Sequence, residues 1–115
     1  LYGAQFVAWL ADGHWLDLAA QANATAERLR GELSDLPGLR LAWPCQSNET
    51  FVVVERPLYE SLTRAGVSMY ELYPDALPPD QVIGDGELLA RMVTSWATTD
   101  ADVDAFVAAV RSHTP

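Results

Sequence analysis

The amino-acid sequence predicts a two-layer α+β domain: a small, mostly antiparallel sheet with helices on one face, preceded by a connecting pair of helices. Three observations carry that expectation. Apolar residues between Trp15 and Leu33 recur at steps of three and four, Thr50-Phe51-Val52-Val53-Val54-Glu55 is apolar and β-branched, and Leu89 to Trp96 alternates before a capped helical pattern begins. The predicted order is helix, helix, strand, strand, helix, strand, strand, helix, which suits one sheet with a single helical layer. Residues 1–35 read as connecting helices that dock on another domain, and residues 36–115 as the small domain itself.

Tyr2 to Ala11 spreads Phe6, Val7, Trp9 and Leu10 around most of a helix. A helix apolar on several sides needs cover on several sides, and a domain this small has little to offer, so a docking helix is favoured over a core helix. Asp12-Gly13 breaks the pattern. In the next helix Ala19, Ala22, Ala26, Leu29 and Leu33 form the dry stripe, with Gln21, Thr25, Arg28 and Glu32 on the wet one, until Pro37-Gly38 stops it. Leu39 to Trp43 reads as a strand ended by Pro44, and the β-branched run at 50–55 as a second. Pro57 suits a first helical turn, Leu58 and Leu62 mark its buried face, and Gly66 its stop. Val67 to Leu72 is the third strand. Tyr73 to Glu87, with three prolines and two glycines, is a long loop. Leu89 to Trp96 is the fourth strand, Thr98 or Thr99 caps the last helix, and Val103, Phe106, Val107 and Val110 face inward.

Composition narrows the function. With 115 residues there is room for one core, and sixteen acidic against seven basic residues leave a charge of −9, so nucleic acid and anionic membrane are poor partners. All seven basic residues are arginines; without lysine, the chain alone cannot form a Schiff base. The lone Cys45 excludes an internal disulfide and fits a reducing, cytoplasmic compartment. The Asn23 and Asn48 glycosylation sequons read as chance matches, and the apolar run ending at Ala11 is too short to span a bilayer. A chain opening on Leu1 is expected to be a piece of something longer.

Most candidate sites fail on spacing. Asp100, Asp102 and Asp104 imitate a calcium loop, but Ala105 and Arg111 stand where it needs glycine and glutamate. His14 and His113 lack metal-ligand spacing, and Cys45 lacks an evident activating base. Ser47, Asn48 and Thr50 carry no nucleophile-elbow pattern, and no glycine-rich phosphate loop is present. Arg91 is left, standing among Leu89 and Val93 on one face of its strand. A guanidinium keeps its proton, so in an apolar layer it calls for an anion. From spacing alone that anion is either one of many carboxylates of the same domain, such as Glu71 or Glu55, or the carboxylate of a bound small molecule.

Several segments carry a resemblance. These are Asp12-Gly13-His14-Trp15-Leu16-Asp17-Leu18-Ala19 with Ala22-Asn23-Ala24 and Arg28-Leu29; Leu36-Pro37-Gly38-Leu39-Arg40-Leu41 with Trp43-Pro44; Ser47-Asn48-Glu49-Thr50-Phe51-Val52; and Arg91-Met92-Val93-Thr94-Ser95-Trp96 with Thr98-Thr99 and Val103-Asp104-Ala105-Phe106. Together they resemble the C-terminal part of the low-specificity L-threonine aldolases, members of the β-eliminating lyase group of pyridoxal-phosphate enzymes with the aspartate-aminotransferase type of fold. The resemblance covers nearly the whole chain.

It implies cleavage of threonine or allo-threonine to glycine and acetaldehyde, with pyridoxal phosphate as electron sink. It also implies that the cofactor lysine, the phosphate loop and the aspartate facing the pyridine nitrogen belong to a missing N-terminal large domain, which accounts for a lysine-free chain. The small domain of the family contributes an arginine that helps hold the substrate carboxylate; the matching position is Arg91, and the resemblance favours that role over the structural pair. Two departures stand out: the loop around Pro78-Pro79 is long for the family, and Ser95 stands where some relatives have histidine. The expectation is therefore the substrate-carboxylate-binding domain of a cytoplasmic, homo-oligomeric lyase, inactive alone, with an amino acid as its small-molecule partner. The rivals are a free-standing α+β module that binds an amino acid or a protein without catalysis, and another lyase or aminotransferase of the same fold.

Overall fold

The computed structural model describes residues 2–113, apart from the side chains of Tyr2, Phe6 and Trp9. Its centre is the pairing of β2 (Glu49–Glu55) with β4 (Glu87–Val93), antiparallel over seven positions from Glu49 opposite Val93 to Glu55 opposite Glu87. β-Branched residues favour this pleated, half-crowded backbone because their stiff χ1 packs well across it. Two short strands complete the sheet: β1 (Leu39–Leu41) lies beside β2 and β3 (Tyr70–Leu72) beside β4, in the order β1-β2-β4-β3 with each pair antiparallel. The expected two-layer α+β domain is what forms.

Alternation then sorts the side chains. Val52, Val54, Leu88, Ala90 and Met92 point to one face. There they meet Leu29 and Leu33 of α2 (His14–Leu33), Leu58 and Leu62 of α3 (Arg56–Arg64), and Val103, Phe106 and Val110 of α4 (Asp100–Ser112), which make the principal core. Ala42, Val53 and Leu89 point to the other face, where Trp43, Phe51, Leu72, Leu77 and Ile83 gather around them. The second face is therefore only partly covered.

Local chemistry fixes the ends of the elements. Pro57 opens α3, and Thr99, rather than Thr98, caps α4: its hydroxyl accepts from the Asp102 amide at 3.1 Å while the Asp102 carboxylate accepts from the Thr99 amide at 2.8 Å. Those bonds hold the Asp102 carboxyl below its ordinary value, the backbone amide being the larger cause. β4 stops at Val93, short of the expected Trp96: the Thr94 amide still reaches the Asn48 carbonyl, but the Thr94 carbonyl accepts from the Asn48 side chain, and residues 95–98 turn. β3 is shorter than 67–72, since the Val67 amide closes the end of α3 on the Leu62 carbonyl. Thr25, expected on the wet stripe of α2, is buried; its hydroxyl donates to the Gln21 carbonyl, which removes the penalty of burying it, while Ala19 is exposed.

The 73–87 segment contains one 3₁₀ turn, Pro74–Ala76, and lies on the second face through Leu77 and Ile83. Gln81 donates to the Ala42 carbonyl, Arg40 donates to the Val82 carbonyl at 3.2 Å, and the Glu87 carboxylate accepts from Arg40 at 2.6 Å and from the Gly84 amide at 2.9 Å. Arg40 chiefly holds the Glu87 carboxyl below the usual carboxylate range.

At the other end, α1 (Tyr2–Leu10) reaches α2 through a turn in which Asp12 and Gly13 take φ of 57° and 71°. α1 leaves much apolar surface bare: Val7 is 70% exposed and Leu10 49%, and Leu16 at the start of α2 is 54% exposed. The molecule is correspondingly long, 50 Å against a thickness of 24 Å.

Candidate functional site

Arg91 sits in the middle of β4 with Phe51 of β2 and Tyr70 of β3 as its cross-strand neighbours. Because Leu88, Ala90 and Met92 are committed to the helical layer, the period of two puts Arg91 on the opposite, open face with Leu89 and Val93, as its strand spacing predicted. Phe51 is propped by Trp43, the two rings stacked with centroids 4.5 Å apart and 25° between planes. On the other flank the Arg91 guanidinium lies over the Tyr70 ring, 5.5 Å from its centroid, within cation–π range. The cation is held laterally by the Tyr70 ring and stays 39% exposed.

Its anion is a carboxylate of the same domain, as the structural-pair alternative expected, though neither Glu71 nor Glu55. Glu71 pairs with Arg56 at 3.2 Å, and the carboxylate facing Arg91 is that of Glu49, with Oε1 3.5 Å from one terminal nitrogen. Charge-assisted bonds run about 2.7–2.9 Å, so this contact is a loose ion pair with no side-on fork. The Arg91 Nε is buried and has no hydrogen-bond partner among the described residues. With a loose, half-exposed counter-charge, the terminal nitrogens of the guanidinium stay available to a planar anion, whereas the buried Nε is out of a ligand's reach.

The segments singled out in the sequence converge at this end of the sheet. Asn48 donates to the Thr94 carbonyl at 2.8 Å and accepts the Thr94 amide on its own carbonyl at 3.0 Å; the Thr94 hydroxyl donates to the Ala22 carbonyl at 2.8 Å. Arg30 donates to the Ser47 and Glu49 carbonyls, each at 3.1 Å, and Gln21 donates to the Trp96 carbonyl at 2.9 Å. Arg28 binds Asp100 and Asp104 at the start of α4. These contacts tie α2, the start of β2 and the end of β4 together just beyond Arg91. The motifs are therefore a scaffold for the arginine, with one ionisable group, Glu49, turned toward it.

Of the other candidates, Cys45 touches this cluster through Ser47, while the histidines lie at helix ends. The Cys45 thiol is drawn below its ordinary value, first by the Ser47 hydroxyl 3.2 Å away. His14 lies at the start of α2 and His113 at the end of α4, and among the described residues no group of three His, Cys, Asp or Glu side chains could hold a metal. No helix among them is long and apolar enough to cross a membrane. Sequence reasoning missed Glu49 because its approach depends on register: once Phe51 opposes Arg91, the residue two earlier on β2 lies diagonal to it on the same face.

No protein-family model matches the chain. A low-specificity L-threonine aldolase of Pseudomonas sp. (strain NCIMB 10558) is 34% identical to it over 109 residues, 95% of this chain and 28% of that protein. The chain is homologous to low-specificity L-threonine aldolase. It spans a little over a quarter of the length of the aldolase it matches. The threonine aldolase of Leishmania major superposes with a TM-score of 0.79 at 30% identity, covering 96% of this chain and 29% of that one. A glycine decarboxylase (P-protein) of the glycine cleavage system shares the fold, with a TM-score of 0.70 at 19% identity over 96% of this chain and 24% of its own. The resemblance to the aldolases thus extends across α2, the sheet and the strand that carries Arg91.

Proposed function

We propose that this chain is the C-terminal small domain of a pyridoxal-phosphate-dependent lyase resembling threonine aldolase, cleaving L-threonine or L-allo-threonine to glycine and acetaldehyde. The observation that carries the reading is the loosely paired Arg91 on the open face, in a chain homologous to threonine aldolase. Arg91 holds the substrate carboxylate. Fixing that group restricts rotation about the α-carbon and selects which bond is presented for cleavage, so orientation is the source of its effect.

The residues present do not fit the cofactor itself: there is no lysine to carry it and no glycine-rich phosphate loop. Pyridoxal phosphate, when bound, supplies an electron sink, and it is held by a large domain outside this chain. Residues 1–35 connect to that domain and 36–115 form the small one. The bare apolar groups Val7, Leu10 and Leu16 support docking by the first helices. A cytoplasmic homo-oligomer with an amino acid as ligand completes the proposal.

The direct test is an assay of the full-length polypeptide with L-threonine and L-allo-threonine. Release of acetaldehyde and glycine in equal amounts is expected, and a pure, cofactor-loaded protein that releases neither overturns the reading. For the docking surface, sedimentation of the isolated 115-residue chain is expected to show self-association at high concentration. A strictly monomeric profile would count against docking by this surface.

A further inference from the structure

Glu49 stands where the ligand's anion is needed. Its Oε1 lies 3.5 Å from the Arg91 guanidinium, and the pair is solvated on both sides at 39% and 38% exposure. The backbone beneath Glu49 is firm: Arg30 donates to its carbonyl, the Ser47 hydroxyl accepts its amide at 3.1 Å, and it pairs with Val93 across β2 and β4. The carboxylate is therefore presented by a rigid strand through a flexible, half-exposed side chain. A structural pair evolved for strength would be short and forked. This one is long and single.

We propose that Glu49 is the exchangeable counter-carboxylate of Arg91. It aims the guanidinium along the open face while no ligand is bound, gives way when a ligand carboxylate arrives, and by its charge selects against ligands that carry a second carboxylate. The inference rests on the reading of Arg91 as the carboxylate clamp. Two consequences follow from Coulomb attraction and repulsion at a half-solvated site. Removing the charge of Glu49 frees Arg91 from a competitor, so a monocarboxylate binds more tightly. Removing it also takes away the like charge that a dicarboxylate meets, so discrimination between the two classes narrows.

The experiment is calorimetric titration of the full-length protein with glycine and with aspartate. Glu49→Gln is expected to tighten glycine binding by about fivefold and to tighten aspartate binding by more than that, while Glu49→Asp stays near the parent. Arg91→Ala, titrated in parallel, separates the two claims. If it leaves glycine affinity unchanged, the clamp reading fails. If it weakens glycine while Glu49→Gln leaves both affinities and their ratio unmoved, or weakens both, the clamp stands and the exchange inference is overturned. Thermal unfolding of each variant guards against a merely structural role, which would lower the midpoint without moving the aspartate-to-glycine ratio.

Discussion

Arg91→Ala in the full-length protein is expected to lower kcat/KM for threonine by roughly 2–5 kcal/mol of transition-state stabilisation, with folding little changed. The asymmetry follows from where the residue sits. Its backbone is central to β4, so alanine keeps the ladder, and the lost side chain is 39% exposed with one ion pair at 3.5 Å. Such pairs contribute at most about 1 kcal/mol to stability. If Arg91 is the clamp, the larger loss falls on the ligand, whose carboxylate gives up a charge-assisted contact beside the Tyr70 ring. Arg91→Lys should recover little, since an ammonium cannot reproduce the planar fork. Steady-state kinetics beside a denaturation curve decide the matter: activity retained with stability collapsed would make Arg91 a structural residue.

Leu89→Ala is expected to do the opposite, destabilising the domain by about 2–5 kcal/mol through a cavity the surroundings only partly fill. Leu89 is fully buried, yet it faces away from the helices and packs with Ala42 and Val53 beneath Leu77 and Ile83. Its removal undermines the platform on which the 73–87 segment rests. Urea titration should show the loss, and Val93→Ala on the exposed end of the same face should stay within about 0.5 kcal/mol of the parent. If Leu89→Ala behaved like Val93→Ala, the second face would be a surface with no core of its own.

What was legible in the sequence was what depends on local period and local breaks. The helix of residues 14–33, the strand at 49–55, the kink at Asp12-Gly13 and the inward set Val103, Phe106, Val107 and Val110 all follow from spacing and special residues. Arg91 was legible as an arginine on an apolar face because alternation survives any choice of neighbouring strand. Its partner was not. Glu71, Glu55 and Glu49 are equally near in composition, and only the pairing of Phe51 with Arg91 selects Glu49. Thr25 and Thr94 misled or hid for a related reason: a hydroxyl that finds a carbonyl one turn back or on the facing helix can be buried, and the sequence does not show the carbonyl. The cover formed by Leu77 and Ile83 was invisible because a segment with prolines and no period gives no face to assign.

The two edges of the sheet carry a further consequence. β1 and β3 are three residues each, and both have a charge at the centre, Arg40 and Glu71. Few unpaired amides are offered to a stray strand, and a recruit must settle beside an ion. A small domain with one sheet face partly open would otherwise invite fibre growth sideways; brevity and charge at its borders let it keep that opening without becoming a template for aggregation.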